Sequence, residues 1–367
     1  MSFKRQKIAV LIWAKLFGLF ALARFITRKR LRILAYHGLA LDDEYKFRPM
    51  LFISAEKFEK RLQFLQTAGY PVLGLDSALA QLKNQSMPDC ATVLTIDDGW
   101  YGTSAVMGPL LNTFNFPATL YVSSYYSQKE TQVFNIAIGY FLWKTKNKKI
   151  DLCQLRIGLS GVERLECAGD FERVASVICE RASKLPSAKS RQELLSKIAN
   201  VLNLDYKGML EKRMFFYAGA SDLADLEALG VDLQLHTHRH RFSTCTRQES
   251  EEEISENRKF LKEISSRKKI HFCYPSGQFE DEQLLILRSL GVVSATTCRA
   301  GLASRETNPL LLPRILDSED LSAIEFEAEM SGFKDLARTA LAALRFKSLN
   351  KHSRFCADQA GDSPLVD

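Results

Sequence analysis

The chain has 367 residues, 46% apolar and 25% charged, an ordinary globular composition long enough for one large α/β barrel. Its net charge of +7 is mild, gathers near the N-terminus and comes with no recognition motif, which argues against nucleic acid as a partner. Eight cysteines (90, 153, 167, 179, 245, 273, 298 and 356) are scattered without a CxxC pair, which argues against a disulfide framework and predicts a reducing, cytosolic compartment.

The first element, residues 8–26 (IAVLIWAKLFGLFALARFI), is the one long apolar run, and cations flank it on both sides. No small-residue cleavage site follows it, so a signal peptide is not expected. Lys15 near its middle would cost about 2.5–3.5 kcal/mol at a bilayer centre. A helix lying in the interface of an anionic membrane, at its cytoplasmic face, is the favoured expectation for residues 1–30. A spanning or re-entrant segment and a plain packing helix remain open.

From residue 31 short apolar runs alternate with amphipathic segments. RILAYH (32–37) reads as a strand, and a helix follows with Ser54 as N-cap and Phe58, Leu62 and Leu65 at helical spacing. Next come PVLGL (71–75), a short helix, the strand ATVLTI (91–96), a helix over 103–114 and the strand PATLYVSS (117–124). The helix-rich stretch 125–220 is too long for a bare loop and predicts a helical insertion, or else a small separate domain. The alternation resumes with VDLQLH (231–236) and a helix over 247–265 opened by a Thr246/Glu249 capping box. KIHFCYP (269–275), a helix over 280–290, VVSATT (292–297) and LLLPRI (310–315) complete it. Such alternation predicts a parallel sheet, open or closed, within 31–331. The remainder, 332–367, reads as a helix with Leu336, Ala340 and Leu344 on one face and a polar, disordered tail from about residue 350.

The densest chemical signal is HTHRH (236–240), directly after a strand. His236 and His240 can converge on one divalent ion if the chain turns there, the alternative being a basic surface turn. Two neutral nitrogens seldom suffice, and TIDDG (95–99) offers carboxylates at another strand end. One aspartate can bind the ion while its neighbour takes a proton from water, although Asp-Asp-Gly is also a common turn. YPSG (274–277) ends a further strand with backbone N–H groups suited to an oxyanion, or is only a turn. Arg314 and His37 also end apolar runs, and a lone strand-end histidine is often purely structural.

Taken together these elements resemble the polysaccharide deacetylase family, or chitooligosaccharide-deacetylase homology domain (carbohydrate esterase family four-like), over about residues 31–125 and 220–317. TIDDG is similar to the family's TFDDG motif and HTHRH to its His-Ser/Thr-x-x-His motif. CYPSG corresponds to the third motif, with Cys273 where many members have Arg and Ser276 where they have Tyr. Tyr36-His37 and the LPR at 312–314 resemble the branch acting on poly-N-acetylglucosamine. The family's fold is a deformed (β/α)7 barrel, here with the helical insertion and the basic apolar N-terminal helix added.

The resemblance implies a hydrolase that removes an N-acyl group from an aminosugar in a polysaccharide or lipid-linked saccharide. It implies one divalent metal ion, zinc by expectation, on Asp98, His236 and His240. Asp97 would be the base, the Ser276 backbone N–H the oxyanion donor and His37 the acid. Arg314 would orient Asp97 or bind an anionic substrate group, His238 would support the ligands from behind or meet substrate, and Tyr274 would meet substrate. Three rival readings stay open. One is a deformylase or deacetylase of a polyprenyl-phosphate-linked aminosugar, and another a non-catalytic glycan-binding scaffold. The third is a two-carboxylate glycosidase, disfavoured because adjacent aspartates cannot flank a bond at roughly 5–9 Å.

Overall fold

The computed structural model describes residues 3–146 and 148–343. Seven strands form a closed parallel barrel: β1 (Arg32–Tyr36), β2 (Thr92–Ile96), β3 (Ala118–Val122), β4 (Val231–Leu235), β5 (His271–Cys273), β6 (Ser294–Ala300) and β7 (Leu312–Leu316). Each strand lies beside its neighbour in the chain, and β7 closes against β1 through Leu34–Ile315 and Ala35–Leu316. The barrel is deformed on one side. There β4 meets β5 at Leu235 and Phe272, and the register of β6 against β7 slips between Thr296 and Ala300.

Side chains alternate between the two faces of the barrel wall. Ile33, Val93, Tyr121, Cys273 and Leu312 cluster together, while their neighbours Leu34, Leu94, Leu120 and Phe272 join the larger core under the helices. Burial on both faces explains why these strands read as continuous apolar runs rather than alternating ones.

Local signals set the outer helices. α3 (Ala55–Thr67) starts where the Ser54 hydroxyl accepts from the Lys57 N–H, a cap worth about 1 kcal/mol. The helix Arg247–Ile264 begins at the expected Thr246/Glu249 capping box. PVLGL forms no strand: Val72 makes a single bridge to Thr92, and Leu75 already opens the helix Leu75–Asn84. Both edges of β2 are taken, by β1 and β3, so no further strand can pair along it. The expected 103–114 helix begins with a wider π turn, Thr103–Met107, before the α-helical Gly108–Thr113.

Between β3 and β4 the chain builds helices Ser124–Lys129, Phe134–Lys144, Ala168–Ser183, Ala188–Val201 and Tyr206–Glu211. It also makes a two-stranded hairpin of Lys149–Asp151 with Val162–Arg164. This segment has its own core, with Phe141, Ile178 and Ile198 at its centre, which reaches the barrel through Trp100 and Tyr217.

The apolar run at the N-terminus is two helices, α1 (Phe3–Leu16) and α2 (Leu19–Thr27), bent by 76°. Gly18 makes the break in the left-handed conformation, φ 73°, which a residue without Cβ adopts freely. No single helix among the described residues is long and apolar enough to cross a membrane. Downstream of β7 lie a helix Ala323–Met330 and another over 333–343. Leu344 and the expected tail from 350 lie outside the described residues.

Candidate active site

The C-terminal ends of the strands gather nearly every residue singled out above, because side chains just past a strand end point into the barrel mouth. Asp97 and Asp98 follow β2, His236 and His240 follow β4, and His37 follows β1. Asp98 and His240 both take left-handed backbone, φ 74° and 56°, which turns their side chains towards one point. Asp98 Oδ1 stands 3.3 Å from His236 Nε2 and 3.2 Å from His240 Nε2. That oxygen is buried and closes no hydrogen bond, so three donor atoms face one another without satisfying one another.

These three atoms could hold a metal ion. Ligands about 2.0–2.1 Å from a tetrahedral ion lie roughly 3.3 Å apart, close to both separations here. The surrounding contacts fix two of the three side chains. His236 donates from Nδ1 to the Cys273 carbonyl at 2.8 Å, leaving Nε2 as a lone pair. Trp100 Nε1 donates to Asp98 Oδ2 at 2.9 Å, and Asn257 Oδ1 accepts the His236 backbone N–H at 3.0 Å. Burial acts to raise the Asp98 carboxyl, but the two imidazoles outweigh it and hold the group well below the usual carboxylate range. A second grouping of Asp97, His236 and Cys273 suits a cation less well. Burial pushes the Cys273 thiol far up and keeps it protonated, whereas a ligand must be thiolate.

Asp97 is held differently. Arg314, fully buried, donates to Oδ1 at 2.8 Å and to Oδ2 at 2.7 Å in a two-pronged ion pair. Arg314 is fixed in turn by the Thr297 carbonyl at 2.9 Å and the Thr95 hydroxyl at 3.2 Å. Burial would raise the Asp97 carboxyl; the guanidinium prevails, keeping it ionised and below its ordinary value. His37 Nε2 lies 3.7 Å from Asp97 Oδ2. The Cys273 thiol donates to the same oxygen at 3.5 Å.

Ser276 sits in the turn Pro275–Gly277 after β5, in left-handed backbone with φ 55°. Two expected substrate residues lie elsewhere. His238 Nδ1 pairs with Ser124 Oγ at 2.9 Å and its ring packs on Tyr125, where burial lowers its pKa. Tyr274 is buried in the core among Phe242, Phe272 and Phe279, 1% exposed, and does not reach the mouth. Alternation explains it: Cys273 points inward at Asp97, so Tyr274 must point outward. Sequence reasoning passed over Trp100 and Asn257, and placed Cys273 only at the arginine position of the third motif. Trp100 directly follows the Asp-Asp-Gly run, which was a usable signal; nothing near Asn257 marked it.

The mouth thus gathers acids, imidazoles and a held arginine at one end of a seven-stranded barrel. Residues 207–295 match the sequence model of polysaccharide deacetylase. No curated protein matches the chain. The fold is shared with solved structures. Streptococcus pyogenes deacetylase PplD in complex with acetate aligns with a TM-score of 0.54 at 17% identity, over 82% of this chain and 98% of that one. IcaB from Ammonifex degensii aligns with a TM-score of 0.51 at 17% identity, over 82% and 97%. A de-N-acetylase from Aggregatibacter actinomycetemcomitans gives 0.50 at 15% identity, over 82% and 99%.

Proposed function

We propose that the protein removes the acetyl group from N-acetylated aminosugar residues of a glycan, using one divalent cation on Asp98, His236 and His240. The observation that carries this is the buried, unpartnered Asp98 Oδ1 facing two imidazole nitrogens, beside an aspartate engaged by arginine instead. A cation on this donor set, zinc by ligand type, supplies Lewis acidity towards the acyl carbonyl and lowers the pKa of water. The residues divide the remaining work. Asp97, ionised and aimed by Arg314, receives the proton that the attacking water gives up. The Ser276 backbone N–H donates to the developing oxyanion. His37, close to Asp97, protonates the departing amine nitrogen. A carbon–oxygen bond forms, the amide carbon–nitrogen bond breaks, and acetate and a free amine leave. Acetate is what the Streptococcus pyogenes protein of like fold holds.

A second reading keeps the chemistry and changes the carrier: a formyl or acetyl aminosugar linked to polyprenyl phosphate. The exposed apolar side chains of α1 and α2 favour it, since they suit a lipid surface. Metal analysis of the purified protein, with acetate and formate release measured on poly-N-acetylglucosamine and on a lipid-linked aminosugar, tests both. About one divalent ion per chain with acetate from the polymer supports the first. Release from the lipid-linked substrate alone moves the assignment to the second, and no bound metal sinks both.

A further inference from the structure

The N-terminal helices do nothing for the mouth, and their position says what they are for. α2 ends at Thr27, just ahead of the first residue of β1, and Arg24 Nη2 donates to the carbonyls of Ala68 and Gly69 at the far end of α3. The Cys90 N–H, just before β2, donates to the Arg28 carbonyl at 2.7 Å. These contacts place α2 across the base of the barrel, where strands begin and not where they end. α1 runs down the side of the barrel along Ala323–Met330, tied by Lys7–Glu325 and Lys15–Glu327 pairs of 2.8 and 2.6 Å. Leu11, Ala14, Phe20 and Ala23 pack inward.

The outward side is apolar. Of the 15 large apolar side chains exposed among the described residues, nine lie between Val10 and Ile26 on this corner, including Phe17 at 75% and Trp13 at 61%. A contiguous patch of this kind on an otherwise ordinary surface marks a contact site. The charge around it chooses the partner. Of the nine Lys and Arg up to Arg32, Arg32 is buried and Lys7, Lys15, Arg28, Lys29 and Arg30 face four carboxylates, Glu325, Glu327, Asp89 and Asp335. Cations still outnumber acids around the patch, with Lys4, Arg5 and Arg24 facing no carboxylate among the described residues. Apolar side chains rimmed by cations complement an anionic lipid surface. The 76° bend means the pair wraps a corner of the barrel and presents no continuous span.

We infer that the protein docks base-down on an anionic bilayer through the outer faces of α1 and α2, holding its catalytic mouth on the side away from the lipid. The mouth lies a strand's length above, about 16 Å for five residues. An aminosugar held at the headgroups lies out of reach, so this orientation favours the polymer of the first reading over the lipid-linked carrier of the second.

Tryptophan fluorescence separates this arrangement from its alternatives, because Trp13 is on the base corner while Trp100 and Trp143 belong to the mouth and the insertion. The intact protein should float with mixed phosphatidylcholine–phosphatidylglycerol vesicles, less so in high salt, and brominated lipid should quench its emission. A Trp13→Phe variant should still float but lose most of that quenching. A Phe17→Glu/Phe25→Glu double variant should bind at least tenfold more weakly with unchanged acetate release from a soluble chitooligosaccharide. Quenching that persists in Trp13→Phe would put the lipid against the mouth or the insertion and overturn the orientation. Failure of the intact protein to float, or its assembly into a dimer that the double variant dissociates, would give the face to another occupant and overturn the membrane.

Discussion

The two ends of the barrel each bury a histidine beside a strand, and the sequence makes them look alike. His236 directly follows β4, while His271 opens β5. At the mouth, His236 is raised in pKa: burial works against this, and the Asp98 and Asp97 carboxylates outweigh it. At the base, His271 has Nδ1 2.8 Å from the Ser294 hydroxyl, and burial, only partly offset by the solvent-exposed Asp76 carboxylate 3.7 Å from Nε2, pushes it down to about 4. The first imidazole is kept among charges that it does not neutralise by itself. The second is a neutral, satisfied core residue. What separates them is which end of a parallel strand they occupy, and chemistry gathers at the end where strands finish.

That contrast can be broken by substitution. The largest effect belongs to Asp97→Asn, which should lower acetate turnover by about 10²–10⁴-fold with the bound metal retained. Loss of the metal in this variant, with retention in Asp98→Asn, would exchange the roles of the two aspartates. His236→Ala should remove the ion, and the melting temperature of the variant should then no longer respond to a chelator that destabilises the parent protein. A chelator response equal to the parent's would show that His236 is not a ligand.

His271 provides the sharpest control at the base. Its folded pKa of about 4 lies below the ordinary 6.5, so above pH 6.5 both states are neutral and it contributes nothing to pH dependence. As pH falls from 6.5 towards 4 the unfolded chain takes up a proton that the folded one refuses, and about 3 kcal/mol of stability is lost. A His271→Leu variant should lack that part of the acid slope in urea titrations while keeping its acetate release at neutral pH. A variant that loses activity there would make the two histidines functionally equivalent. The smallest effect is expected from Arg314→Lys, which keeps the charge but gives up the two-pronged grip. It should cost about 1.5–3 kcal/mol in urea unfolding, and an unchanged midpoint would mean the second prong contributes nothing.

Much of the barrel could be read in advance, because buried parallel strands announce themselves as apolar runs ended by chemistry-bearing residues. Asp98, His236 and His240 were found that way, and they converge. The misses share a cause, which is that a linear reading ignores the partner across the barrel. PVLGL has the composition of a strand, yet the edges of β2 were occupied. Tyr274 looked like a mouth residue until the inward turn of Cys273 fixed its parity. Asn257 lies on an outer helix and reaches the site only through tertiary packing. The apolar run 8–26 reads as one helix, and Gly18 divides it.

The grip of Arg314 on Asp97 joins residues 217 positions apart, from the last barrel strand to the second. The side chains proposed to bind the metal all follow β2 and β4, which with β3 between them can assemble while the rest of the chain is still being made. Synthesis at about 5–20 residues per second leaves an interval of several seconds before Arg314 emerges. During it the ligand set can be complete while its neighbouring carboxylate has no counter-ion. On the proposed mechanism, competence to hydrolyse arrives with ring closure, and a chain truncated before β7 would carry the proposed ligands without the aimed base.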